Sequence, residues 1–294
     1  IIDNNILSIT QDNTGIIWVG TGGGISKTFF PKNNFHLLNK NISNRLTAIF
    51  INKNDDIWLG SLDGLYKIEN SRITHFESNQ KIRNSLSDNY IMSVYEDSEG
   101  FVWIGTNYNG LNKYDPKTGN FKLFTYDIND NTSISNNGIT SICEDSHGNL
   151  WFSTWWGLNK FDKKTAKFYR YFHDNNNPNS LPHDLVWVVY EDSRGMIWVG
   201  TDGGGAGMLN PKTNKFTNFT RSSQESLRIS ENRVFAIFES SDGVIWFGTS
   251  DGLSYYDYKT NKTKIYRTKD GLPGNIINGI IEDNNGNLWL TSDK

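Results

Sequence analysis

The stretch 89–127, NYIMSVYEDSEGFVWIGTNYNGLNKYDPKTGNFKLFTYD, parses into four short runs. IMSVYED and FVWIGT are joined by a turn ending in Gly100; GLNKYD follows, and after the turn PKTGN comes FKLFTY. Each run is rich in β-branched and aromatic residues and is bounded by Gly, Asn, Asp or Pro, which is the signature of a strand meander. A single four-stranded meander cannot bury both of its faces. Further copies must stack against it.

The copies are present. Trp18, Trp58, Trp103, Trp151, Trp198, Trp246 and Trp289 recur at spacings of 40, 45, 48, 47, 48 and 43 residues, the period of propeller blades. The turn before each carries Gly15, Gly100, Gly148, Gly195, Gly243 or Gly286, with Asp55 in the remaining copy. Such a tight hairpin needs a residue that tolerates positive φ. The expected fold is therefore all-β: a seven-bladed β-propeller of four-stranded antiparallel blades, radially stacked so that only short edges remain. The blades fall at about 1–43, 44–88, 89–136, 137–183, 184–231, 232–274 and 275–294 of a single domain, 1–294. The seventh copy stops just after LWLTSD, so the last blade is expected to be incomplete with an exposed edge, in a domain excised from a larger protein.

Residues repeated in every copy serve the framework. The seven tryptophans read as packing between blades. The polar residue opening each first strand (Asn4, Asn44, Asn89, Asn137, Asp184, Asn232, Asn275) reads as a turn former whose side chain satisfies loop backbone. The Glu-Asp pairs at 96–97, 144–145, 191–192 and 282–283 recur at one place in the repeat, which marks them as framework rather than acid-base catalysts. The five histidines have no metal-ligand spacing, and the GGG runs at 22–24 and 203–205 precede no helix that could hold phosphate. No metal and no cofactor is expected. The formal charge of −3 leaves no basic footprint for nucleic acid, and no apolar run nears the length that would insert this segment into a membrane.

The pattern N-x-I-x-S-I-x-E-D, G-x-[IL]-W-[IV]-G-T, G-L-N-K-[YF]-D resembles two-component regulator propeller repeats over essentially the whole chain. Its sharpest instances begin at Ser93 and Ser141, supported by NSLSDN from Asn84, NSLPHD from Asn179 and DGLPGN from Asp270. INKNDDIWLG, from Ile51, departs by lacking the Glu-Asp pair and the glycine. The resemblance implies an extracytoplasmic sensor of a bacterial hybrid two-component system, on the periplasmic or cell-surface side. It further implies a neighbouring propeller and sandwich domain as partners, a homodimer in the intact receptor, and a glycan-derived oligosaccharide bound without cleavage. A protein-interaction scaffold is one alternative. The other is a lyase like those that open streptogramin antibiotics, suggested by GNLWFST from Gly148, although no His-Glu-His cluster accompanies it.

The ligand-binding candidates come from the face that varies. The loops between second and third strands, and the residue after each opening polar position, differ from copy to copy, and loops on a rigid scaffold are where recognition concentrates. Tyr90, Tyr108, Asn109, Trp155, Trp156 and Arg233, with Arg45 and Asp202 as outer members, are expected to line a shallow site. Aromatic faces suit sugar rings, and arginine forks suit hydroxyl, uronate or sulfate groups. Trp187, aligned with Met92, Thr140 and Phe235, is expected in the core.

Overall fold

The computed structural model describes residues 6–29, 34–37, 42, 45–79, 81–82 and 84–293. Strands form along the β-branched and aromatic runs of the repeat, and four consecutive strands pair in sequential order to make each blade. In the third blade these are Ile91–Glu96, Val102–Thr106, Leu111–Asp115 and Asn120–Phe124. In the first five blades the second strand, such as VWIGT, is buried along its whole length; in the sixth, Val244 and Trp246 are half-buried.

The number of blades corrects the expectation of seven: there are six four-stranded blades. The seventh copy supplies Ile277–Glu282 and Leu288–Ser292, which form a two-stranded sheet with no further strand beside it among the described residues. The recurring tryptophan marks only the first hairpin of a repeat. A blade also needs the outer hairpin, whose aromatics cover the preceding blade.

The chain divides into two compact units, one of Ile1–Thr125, Asn137–Ile139 and Asp283–Asn287, the other of Tyr126–Asn136, Thr140–Glu282 and Leu288–Lys294. In the first unit, Trp18 packs against Leu46, Leu59 and Tyr66 of the second blade, and Trp58 against Val94, Val102, Tyr114 and Phe121 of the third. In the second unit, Trp151 packs against Val189, Leu209 and Phe216, and Trp198 against Ile237, Phe247 and Tyr256. A tryptophan is thus buried by the blade that follows. Trp246 is followed by the two-stranded sheet, which offers Ile277, Ile280, Leu288 and Leu290 to its cluster, and it stays half-buried. Trp289 is half-buried as well, so two of the seven tryptophans fall short of the burial the repeat pattern implies.

The aspartate six residues before the tryptophan explains the rest of the motif. Asp145 Oδ1 accepts the backbone N–H groups of His147 (3.0 Å) and Asn149 (2.8 Å), shaping the turn, while Oδ2 accepts the indole N–H of Trp151 at 2.9 Å. The same indole bond joins Trp18 to Asp12, Trp103 to Asp97 and Trp198 to Asp192, at 2.7–2.8 Å. In the sixth blade Ser240 Oγ takes over at 3.0 Å. In the second blade Asn52 stands there, and the buried Trp58 indole N–H has no partner among the described residues.

The glutamate of the pair reaches to the preceding blade. Glu191 accepts from the N–H and hydroxyl of Ser146 (2.6 and 2.8 Å), Glu239 from Ser193, and Glu282 from Ser241. The third-strand lysine lies over the tryptophan ring of its own blade, at 4.9–5.5 Å for Lys27, Lys67, Lys113 and Lys160. The opening polar residues cap loop backbone: Asn89, Asp184, Asn232 and Asn275 accept from the N–H of Ser78, His173, Arg221 and Thr268. Asn4 and Asn44 lie outside the described residues.

Burial alone would raise the Asp12 carboxyl, but hydrogen bonds from Thr14, Trp18 and the Ile16 backbone outweigh it and hold the group below its usual value. Its contribution is complete above about pH 4, the unfolded carboxylate value, and is lost as pH falls through the lowered folded value. Cys143 is pushed up to about 12 by burial and is a thiol at neutral pH.

Two expected outcomes follow from the aspartate–indole bond. Asp145→Ala strands two turn N–H groups and a buried indole, and should lower unfolding free energy in urea by about 3 kcal/mol. Trp103→Phe should cost about 1 kcal/mol more than Trp58→Phe, because only the former breaks an indole hydrogen bond. Equal losses for the two tryptophans would show that the bond contributes nothing.

Candidate functional site

At the end of each blade opposite the aspartate turn, the second strand closes on a buried Thr or Ser. Its hydroxyl donates to a glycine carbonyl three or four residues on and accepts a loop N–H, as Thr106 does with Gly110 and Asn109, and Thr154 with Gly157 and Trp156. The loop is then laced by backbone. Asn107 N–H donates to the Tyr90 carbonyl, Asp202 to Leu185 and Ser250 to Arg233, while Gly157 and Gly252 donate to Asp184 and Asn275. Gly157 sits at φ 96°, where a side chain would also collide with the Tyr171 carbonyl. Because the loop backbone is held by main chain and one buried hydroxyl, its conformation does not depend on the identity of the side chains at the loop tip. That is the physical reason this face can diverge.

Of the candidates in the first unit, Tyr108 is 70% exposed at the loop tip and Tyr90 is 38% exposed. Asn109 is held by Asp88, whose carboxylate accepts its amide N–H at 3.1 Å and the Tyr90 backbone N–H at 3.1 Å. Asp88 was not singled out in the sequence; its signal is its place in the varied NSLSDN loop. Arg45 is exposed at the start of the second blade.

In the second unit, the two neighbouring tryptophans part company. Trp156 is 56% exposed, whereas Trp155 turns inward and meets Trp187 edge-on at 5.5 Å, which meets Phe235 edge-on at 6.1 Å. Trp187 is therefore half-buried in an aromatic row rather than enclosed in the core. The cause is a β-bulge. The first strands slip register at this position, at Thr47, Met92, Trp187 and Phe235 among others, and a bulge re-aims its side chain. Thr47 uses the same geometry to reach the Ile91 carbonyl of the next blade, and Thr140 reaches that of Val186. The indole N–H groups of Trp155 and Trp187 are shielded from solvent and have no acceptor among the described residues.

Arg233 and Asp202, nominated separately, form an ion pair and a backbone bridge between adjacent blades. A second pair, Arg267 with Asp251 at 3.1 Å, lies within the sixth blade, with Asn275 also donating to Asp251. The four histidines whose side chains are described are engaged locally: His75 stacks on Tyr66 at 4.0 Å, His147 contacts Ser146, and His173 and His183 bond within their loop. Among the described residues no three His, Cys, Asp or Glu side chains are grouped to hold a metal ion, and no helix is long and apolar enough to cross a membrane.

Comparison with known proteins places this geometry in context. The extracellular domain assigned to the hybrid two-component system BT3049 from B. thetaiotaomicron aligns with a TM-score of 0.80 at 22% identity, over 99% of this chain and 39% of that one. The chain thus spans about two fifths of that structure's length. A streptogramin B lyase aligns with a TM-score of 0.76 at 15% identity, over 99% of this chain and 92% of its own. Virginiamycin B lyase from Staphylococcus aureus gives 0.73 at 14%, with the same coverages of 99% and 92%. At such identities the likeness is one of fold. No curated protein matches the chain. Residues 1–23, 85–108, 133–156, 180–203, 228–251 and 271–294 match the two-component regulator propeller model, each match covering an inter-blade loop, first hairpin and varied loop. The chain is built from these repeats and belongs to the two-component regulator propeller family.

Proposed function

We propose that this chain is the ligand-sensing propeller of an extracytoplasmic receptor and recognises a glycan-derived oligosaccharide without cleaving it. Family membership and the fold shared with the extracellular BT3049 domain support the receptor setting. One observation carries the ligand class. Trp156 stands exposed on a backbone-anchored loop next to Trp155, which opens the row that continues through Trp187 and Phe235. Indole faces suit the C–H faces of sugar rings. Arg233, steadied by Asp202, adds an oriented guanidinium from the adjacent blade. Binding without cleavage is supported by the local engagement of the four histidines whose side chains are described.

Calorimetry of the chain against a panel of polysaccharide-derived oligosaccharides tests the proposal. A saturable ligand is expected, and Trp156→Ala should weaken it by at least about tenfold, roughly 1.4 kcal/mol, with no change in melting temperature. Absence of any sugar ligand, or unchanged affinity in Trp156→Ala, would refute it. Bond cleavage in the bound sugar would contradict the non-enzymatic reading.

A further inference from the structure

The loops that enter the third, fourth and fifth blades are built alike. Residues 82, 130 and 177 each donate a backbone N–H to residues 79, 127 and 174, and Ser85, Ser133 and Ser180 donate back to 82, 130 and 177. Phe121, Phe168 and Phe216 of the fourth strands donate to 84, 132 and 179. Their carbonyl oxygens are therefore presented in the same array. In the fourth blade Arg170 fills that array: Nε donates to the Ser133 carbonyl at 2.7 Å, and Nη2 to the Asp130 carbonyl (2.7 Å), Ser133 Oγ (2.6 Å) and the Ile134 carbonyl (3.3 Å). In the fifth blade Asn218 Nδ2 serves the carbonyls of Ser180 (3.2 Å) and Pro178 (3.4 Å).

In the third blade the matching residue is Leu123, which has no donor. Among the described residues no donor side chain fills the array in this copy, and a cavity of about 840 Å³, comparable to the one of about 980 Å³ beside Arg170, is lined by Ile82, Ser85, Leu86, Asp115, Phe121 and Leu123 among others. That volume is within the range of small-ligand sites, roughly 300–1,000 Å³. Ser78 stands where the fourth blade has Tyr126, whose ring covers the Arg170 guanidinium at 5.5 Å, so both the plug and its lid are missing from this copy. We propose that the cavity lined by Ile82, Ser85, Leu86 and Leu123 is a binding site for a guanidinium group, held by the carbonyl array that Arg170 satisfies one blade later. Lys113 lines the cavity but lies over the Phe101 ring at 3.4 Å, and its counterpart Lys160 lines the cavity beside Arg170, so a lysine here coexists with a guanidinium in the same chain. Asp115 on the rim supplies opposite charge. The guanidinium can come from an arginine side chain of another protein or from a free guanidino compound.

Amide chemical shifts of the intact chain, titrated with N-acetyl-L-argininamide and with N-acetyl-L-lysinamide, test the assignment. Ile82, Ser85 and Leu86 should shift saturably with argininamide, with Kd of about 1 mM, and the lysine analogue should bind at least about tenfold more weakly. Leu123→Arg, which fills the array in cis, should abolish the response and raise the melting temperature; Leu123→Asn, patterned on Asn218, serves if that variant does not fold. Arg170→Leu should create a second argininamide site at Asp130, Ser133 and Ile134. An arginine-containing peptide binding about tenfold tighter than free arginine identifies a protein source, and equal affinity a small molecule. No saturable shift, an equal response to the lysine analogue, or binding that survives Leu123→Arg would overturn the proposal.

Discussion

In four of the repeats a hydrogen bond from a buried indole N–H to the aspartate six residues earlier joins the hairpin turn to the core. One carboxylate oxygen fixes the hairpin turn and the other fixes the tryptophan that the next blade must cover. Burying an indole leaves an N–H that costs about 1–3 kcal/mol if unpaired, and burying a carboxylate costs more. Each is the other's remedy. The glutamate beside the aspartate then clasps the preceding blade, so the short motif E-D-x₅-W encodes the turn, the core and the interface together. The second blade, with Asn52 for aspartate, gives up the indole bond, and Asn52 Nδ2 instead donates to Glu96 of the next blade at 2.9 Å.

Concentrating structural duty at one end of the blade frees the other. There the loops are tied by main-chain bonds and a single buried hydroxyl, so Tyr108, Trp156 and Arg233 can replace Gly, Asp or Leu at little structural cost. The same economy shows on the outer strands, where one loop conformation is plugged by Arg170, by Asn218, or left open above Leu123. Divergence among copies within one chain therefore separates framework from specialised positions without recourse to other proteins.

Much of this was legible in the sequence because it is periodic. The tryptophan spacing gave the repeat, and the fixed offset of the Glu-Asp pairs marked them as framework rather than chemistry. The number of blades was misread because the tryptophan belongs to the first hairpin, while a blade requires the outer hairpin, which the seventh copy does not supply. Trp187 was misplaced because a bulge adds a residue without altering local composition, and alternation arguments assume unbroken register. The pairing of Asp202 with Arg233 was hidden for another reason: the two lie 31 residues apart and meet only through the stacking of blades.

Amide hydrogen exchange of the chain, with and without a saturating oligosaccharide, tests the division between a structural end and a recognising end most directly. The account predicts added protection in the loop around Thr154–Gly157 and the first-strand entries near Trp187 and Phe235, with the aspartate turns at 145–149 and 192–196 unchanged. Protection confined to those turns, or absent from the varied loops, would contradict it.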